Sequence, residues 1–229
     1  MSDHASTSPT AAAPIAEQVA RANDSGRPPV VFIHGLWLLP SSWDRWAALF
    51  ADAYGGIGWQ AIVTSTRARA VDSAAPTAAC AGIEASRDAR FDEMNYGAWQ
   101  GLSKVEAAAR DGEYFARWQR DPSIGPLMGE SPRAVAARAC AAIEDLCVRH
   151  RDGNILIVSH KALLRILLCQ LFDTELCHYR RGPSWPVGGV TQIDFDASGP
   201  ALRRLADVAH LASLERADKW TPSLRAVSA

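Results

Sequence analysis

Two histidines in this chain close short apolar runs, in Val30-Val31-Phe32-Ile33-His34-Gly35 and in Ile155-Leu156-Ile157-Val158-Ser159-His160. A strand that ends in a polar side chain just before an apolar helix places that side chain beside the helix's free N–H groups. At the carboxyl edge of a parallel sheet, such a place collects anions. Basic residues gather at comparable junctions. Arg67 and Arg69 follow the run Gln60-Ala61-Ile62-Val63-Thr64-Ser65, Lys161 follows His160 directly, and Arg180 and Arg181 lie in a later loop. Glu93 stands in Phe91-Asp92-Glu93-Met94-Asn95-Tyr96-Gly97-Ala98-Trp99-Gln100-Gly101, a carboxylate with two aromatics in a loop punctuated by glycines. Loops of this composition often carry function. Each residue also has a structural reading, with His160 as a helix cap, Glu93 as a surface acid and the cations as solvated charges.

The elements that must position these groups follow from hydrophobic patterning. Four aliphatic residues in a row at 155–158, after an Asp152-Gly153-Asn154 turn, read as a strand buried on both faces in the middle of a parallel sheet. The runs at 29–33 and 60–65 read likewise. Helical spacing marks Trp43, Trp46, Ala47 and Phe50 behind a Ser41-Ser42 cap, and Ala70, Ala74 and Ala78. A helix is expected over 103–109, a separate short one around Tyr114 to Trp118, a long one opening at Ser131-Pro132, and an apolar one over 162–172. Residues 188–195 and 201–205, split by a turn at 196–200, read as a hairpin at the sheet edge. Strands alternating with helices imply an α/β chain, a three-layer α/β/α sandwich around a mostly parallel sheet with the strands at Val30, Ile62 and Ile155 as neighbours.

A length of 229 residues with 48% hydrophobic and 21% charged side chains suits one compact domain. Residues 1–28, rich in Ala, Ser, Thr and Pro, are expected to form a disordered tail, the domain to span 29–212, and 213–229 to form a second tail. The formal net charge of -1 and the lack of a basic run give nucleic acid or an anionic membrane surface no footprint. No apolar run approaches a membrane span, and the start lacks a signal-peptide pattern, so cytoplasm is the expected location. Five cysteines without Cys-x-x-Cys spacing are expected to be reduced and mostly buried.

The order of four stretches adds a resemblance. Ser65-Thr66-Arg67-Ala68-Arg69-Ala70-Val71-Asp72-Ser73-Ala74, then Glu93 to Gly101, then Gly129-Glu130-Ser131, then Val158-Ser159-His160 with Arg165 beyond, resemble the histidine phosphatase (phosphoglycerate mutase-like) superfamily over about residues 57–211. The resemblance implies that family's fold and a phosphomonoester hydrolase acting through a phosphohistidine, without metal or organic cofactor. By position, Arg69 is then the phosphate clamp, Glu93 the proton donor to the leaving group, and His160 the second histidine. His34-Gly35 falls where the nucleophile belongs. Gly35, Ser65 and Lys161 join Arg69 as candidate substrate-binding residues. Neutral imidazole is a good nucleophile near neutral pH, arginine pairs with phosphoryl oxygens, and a carboxyl of raised pKa can act as an acid. The implied partner is a phosphorylated small molecule; oligomeric state stays open.

The opening departs from the family pattern. Ile33 stands where the family motif has arginine, and Leu36-Trp37-Leu38-Leu39-Pro40 replaces the polar residues that usually follow. Residues 29–54 resemble instead the first strand, His-Gly loop and helix of an α/β-hydrolase. Three readings result: a phosphatase slowed by the missing arginine, a catalytically inactive phosphatase fold that binds a phosphorylated ligand or a protein, and an α/β-hydrolase-type esterase. The last fits only the first quarter of the chain, since no Gly-x-Ser-x-Gly elbow occurs.

Overall fold

A computed structural model describes the backbone of residues 29–35 and the whole of residues 48–54, 56–181 and 185–211. The tails expected at 1–28 and 213–229, and the stretch 36–47 of the hydrolase-like opening, lie outside these residues. Six strands form one sheet: β1 (Pro29–Gly35), β2 (Trp59–Thr64), β3 (Ser86–Arg87), β4 (Asn154–His160), β5 (Val190–Asp196) and β6 (Gly199–Asp207). Their spatial order is β3-β2-β4-β1-β5-β6. The first four are mutually parallel, β5 runs antiparallel to β1, and β6 turns back antiparallel to β5; the strands at Val30, Ile62 and Ile155 are neighbours.

The alternation of side chains along β4 builds the layers. Ile155 and Ile157 face a core shared with the helices α3 (Lys104–Arg120), α4 (Pro132–Arg149) and α5 (Lys161–Leu171). Leu156 and Val158 face the opposite core, with Phe50 and Tyr54 of α1 (48–54) and Ala70 and Ala74 of α2 (Ala68–Ala81). All four β4 aliphatics are at most 1% exposed. Each such side chain contributes about 1.5–3 kcal/mol by leaving water, which is why an unbroken aliphatic run occupies a strand covered on both faces.

Local chemistry sets the helix boundaries. Ser131 accepts a hydrogen bond from Ala134 N–H and Pro132 fills the first turn of α4. Ser103 and Glu106 close a capping box at the start of α3. That helix differs from expectation. The segments at 103–109 and 114–118 belong to one helix, kinked where Asp111 leaves helical dihedrals. The Asp111 carboxylate takes hydrogen bonds from Trp99 Nε1 at 2.6 Å and Arg110 Nε at 3.0 Å. Packing of Ala107, Phe115 and Trp118 into one core carries the helix across a pair, Asp111-Gly112, that reads locally as a break. The thiols also differ: all five are free, but Cys169 alone is buried and Cys80 is exposed. Among the described residues no helix is long and apolar enough to cross a membrane.

After β6, a short turn, Ala209–Leu211, seats His210 against α1. Its ring lies edge-on to Phe50 and Tyr54, with centroids 5.8 and 5.5 Å apart. His210 is 6% exposed, and its Nδ1 has no hydrogen-bond partner among the described residues. Burial pushes the imidazole down from 6.5 to about 4. An unfolded chain therefore takes up this proton first as pH falls, and stability is lost between about pH 6.5 and about pH 4. The loss should reach about 3 kcal/mol, at about 1.4 kcal/mol per pH unit. Denaturant unfolding across that range should show this acid limb in the wild type, and His210→Leu should flatten it.

Candidate active site

The carboxyl ends of β2 and β4 meet at one edge of the sheet, and their chain continuations bring the first groups together. His160, the last residue of β4 and the N-cap of α5, is 1% exposed. Arg69, in the first turn of α2, donates from Nε to His160 Nδ1 at 3.2 Å. Because arginine can only donate, Nδ1 is the unprotonated nitrogen, and Nε2 carries the proton toward Ser65 Oγ at 2.6 Å. Ser65, fully buried after β2, also accepts from Arg67 N–H at 3.2 Å. Ser65 thereby orients the imidazole, and the imidazole orients the Arg69 guanidinium.

Glu93 enters from the loop after β3. Its Oε1 accepts N–H groups from Met94 at 2.9 Å and Leu163 at 3.1 Å, and Oε2 accepts from Ala162 at a longer 3.3 Å. The carboxylate thus sits on the N-terminus of α5, where free N–H groups and the helix dipole favour negative charge. Desolvation nevertheless dominates and holds its pKa above the ordinary carboxylate range, against the lowering pull of those three N–H groups and of Arg69. When Glu93 is protonated, the proton belongs on Oε2, the oxygen with the weaker acceptor role.

Four tethers fix this loop. Phe91 and Met94 are buried on either side of Glu93. Ser159 Oγ donates to Phe91 O at 2.7 Å, and Asp92 accepts from Thr66 N–H at 2.7 Å and from the Thr66 hydroxyl. From α4, Arg138 donates to Asp92 O at 2.8 Å and to Arg90 O at 2.6 Å, while its Nε meets Glu130 at 2.7 Å. Gly97 makes the next turn at φ 51°, so close to the backbone of Leu127 and Gly129 that no Cβ fits. Arg138→Met should leave two carbonyls and one carboxylate unsatisfied, costing about 2–3 kcal/mol. The same variant should lower turnover through a displaced Glu93, with denaturant midpoint and steady-state rate as the two readouts.

Above these groups opens a cleft of about 790 Å³. Arg67, Arg69, Glu93 and Lys161 line it, together with Lys104, Arg165 and Arg180, over a floor that includes Trp99, Phe115, Trp118 and Tyr179. Among the described lining residues, six carry positive charge and only Glu93 is acidic. The cleft is therefore electropositive, with a single carboxyl group in its lining.

The sequence pattern of the histidine phosphatase superfamily (branch 1) matches residues 44–208. The chain belongs to this superfamily. A bifunctional protein of Mycobacterium tuberculosis is 36% identical over 127 residues, 56% of this chain and 34% of that protein. The chain thus spans about a third of the length of that relative. A glucosyl-3-phosphoglycerate phosphatase of Mycolicibacterium vanbaalenii is 28% identical over 172 residues, 71% of this chain and 73% of its own length. Among solved structures, Bacillus stearothermophilus YhfR superposes with a TM-score of 0.72 at 24% identity, covering 80% of this chain and 99% of that one. The family match opens at residue 44, so it takes in α1, which the sequence alone assigns to the hydrolase-like opening.

Within this member of the superfamily, three of the expected site residues, Arg69, Glu93 and Lys161, line one cleft. His160 and Ser65 lie behind Arg69. The backbone of β1 ends at the same sheet edge, with His34 in register with Ser159 and Gly35 with His160. Sequence reasoning did not find Arg138, Asp92 or Lys104. Glu130, the Arg138 partner, lay in a stretch that the resemblance had singled out.

Proposed function

We propose that this chain is a phosphomonoester hydrolase that passes the phosphoryl group through His34. The observation that carries the proposal is the placement of Glu93. Its carboxyl holds a raised pKa with its weaker-bound oxygen Oε2 available, in the same cleft as Arg69, which is oriented by the buried His160–Ser65 pair. In the first step a nitrogen of His34 bonds to phosphorus, the P–O bond to the alcohol breaks, and Glu93 gives its proton to the departing oxygen. In the second step water attacks the phosphohistidine, Glu93 takes back a proton, and phosphate leaves. Arg69 compensates charge on the phosphoryl oxygens in both steps. The substrate is a phosphorylated small molecule, a class consistent with the name of the M. vanbaalenii relative.

In this reading the hydrolase-like opening strand supplies the His-Gly pair without the motif arginine, because Ile33 occupies its place. One donor fewer at the phosphoryl group costs about a hundredfold or more in rate. The wild type should therefore hydrolyse a generic aryl phosphate slowly, with no change on adding a metal chelator, and Ile33→Arg should raise the rate. Absence of turnover, with phosphate still bound in a titration, would favour an inactive phosphate-binding protein instead.

A further inference from the structure

The turn after α5 gathers three side chains that the phosphoryl chemistry does not use. Helix α5 ends where Asp173 enters the left-handed region at φ 50° and Thr174 N–H reaches back to Cys169 O at 2.8 Å, a Schellman closure in a backbone region that aspartate tolerates better than most residues. The chain therefore doubles back on the helix. Glu175 opens the short 3-10 turn Leu176–His178, with His178 N–H donating to Glu175 O at 2.9 Å and Arg181 N–H to His178 O at 2.8 Å. Half-buried Leu176 packs against the main core and seats the turn. Residues three apart eclipse on such a turn, so the side chains of Glu175 and His178 share one side, and Cys177 comes between them. One ligand atom from each of the three lies within 4.8 Å of the other two. Cys177 Sγ donates to Glu175 Oε2 at 3.5 Å. Among the described residues, no other three His, Cys, Asp or Glu donors converge in this way.

A carboxylate oxygen, a thiolate sulfur and an imidazole nitrogen together suit zinc, which accepts all three donor types and imposes no geometry of its own. A tetrahedral zinc ion with bonds of about 2.0–2.3 Å holds its ligand atoms about 3.3–3.8 Å apart. The contact between Cys177 and Glu175 already has that length. Glu175 and His178 are exposed, so side-chain rotation alone closes the remaining gap and the hydrogen-bonded turn stays in place. We infer that Glu175, Cys177 and His178 form a zinc site, with water completing the coordination shell. On binding, the Cys177 S–H proton passes to solvent and the thiolate bonds to the metal. None of the three residues lines the cleft. The ion therefore supplies nothing to phosphoryl transfer, and the indifference of aryl-phosphate hydrolysis to a chelator stands. Its effect is on the fold, because an ion that joins the two ends of the turn binds the folded chain and stabilises it.

The test uses the full-length chain, untagged, reduced and freed of metal. Titration with cobalt(II), which enters zinc sites and, unlike zinc, absorbs light, should give a thiolate-to-cobalt charge-transfer band in the near ultraviolet that saturates at a single ion per chain. Zinc should displace the cobalt and bleach the band. Cys177→Ser should abolish it, while Cys80→Ser, which removes an exposed thiol on α2, should leave both the band and the zinc affinity as in the wild type. Glu175→Gln and His178→Ala should each weaken zinc binding, measured by competition with a coloured chelator, by at least about tenfold, since losing even a second-shell partner of a metal ligand costs that much. Zinc should also raise the thermal midpoint of the wild type and leave that of Cys177→Ser unmoved. If Cys177→Ser folds poorly, the Glu175 and His178 variants decide the question, because both change exposed side chains. No charge-transfer band in the wild type, a band that survives Cys177→Ser, or an unchanged zinc affinity in Glu175→Gln or in His178→Ala overturns the site.

Discussion

His34→Ala should abolish phosphate-ester turnover, lowering kcat by about a thousandfold or more, because it removes the proposed acceptor of the phosphoryl group. The expectation rests on the strand order. β1 lies between β4 and β5, and its parallel register with β4 brings His34 beside Ser159 and Gly35 beside His160. No other histidine of the described residues shares that edge with His160: His150 follows α4, His178 lies in a turn beyond α5, and His210 is buried against α1. Binding of inorganic phosphate should change far less than kcat, because Arg69 and the N-terminus of α5 stay in place. A variant that still turns over at the wild-type rate would place the nucleophile elsewhere.

Glu93→Gln should lower the rate on alkyl phosphates by about a hundredfold while affecting p-nitrophenyl phosphate much less. An alkoxide needs a proton as it leaves, whereas a nitrophenolate departs without one. The amide keeps an oxygen for the Met94 and Leu163 N–H groups, and its nitrogen faces only the long contact to Ala162 N–H. Folding should therefore survive. The pH dependence has a definite sign. Burial raises the Glu93 pKa, so its protonated, donating form persists above the ordinary carboxylate range. The alkyl-phosphate rate should fall as pH rises through that value, and the fall should vanish in the glutamine variant. Equal losses on both ester types would show that Glu93 does not protonate the leaving group.

Much of this arrangement is legible in the chain because short-range pattern and chemistry coincide. The aliphatic run 155–158 declares a strand covered on both faces, and His160 follows it where the strand end meets a helix N-terminus. Arg69 is read from the same kind of junction. Other parts depend on long-range contacts that leave no local signal. Arg138 lies on the exposed-looking side of an amphipathic pattern, yet it forks to Glu130 and reaches two carbonyls more than forty residues back in the chain. Ser65 is read as a substrate contact, whereas the geometry engages its hydroxyl with His160 and with Arg67 N–H. Lys104 looks like an ordinary first-turn residue of α3 until the fold turns that end toward α5. The separation of a helix over 103–109 from one around Tyr114 to Trp118 misleads for the same reason, since aromatic packing from Trp99, Phe115 and Trp118 outweighs the weak helix formers Asp111 and Gly112 between them.

The central claim is a covalent phosphoryl group on His34, and mass spectrometry of the protein during turnover reads it directly. A phosphoramidate survives alkali and breaks down in acid, so the full-length chain is mixed with a phosphate ester, quenched at high pH, digested and sequenced. The account predicts a phosphoryl adduct on the peptide that contains His34, discharged by prior acid treatment and absent from His34→Ala. It also predicts that the adduct accumulates with an aryl phosphate when water attack is the slower step. Steady hydrolysis with an unmodified His34 peptide throughout, or an adduct that maps to another residue and persists in His34→Ala, contradicts it.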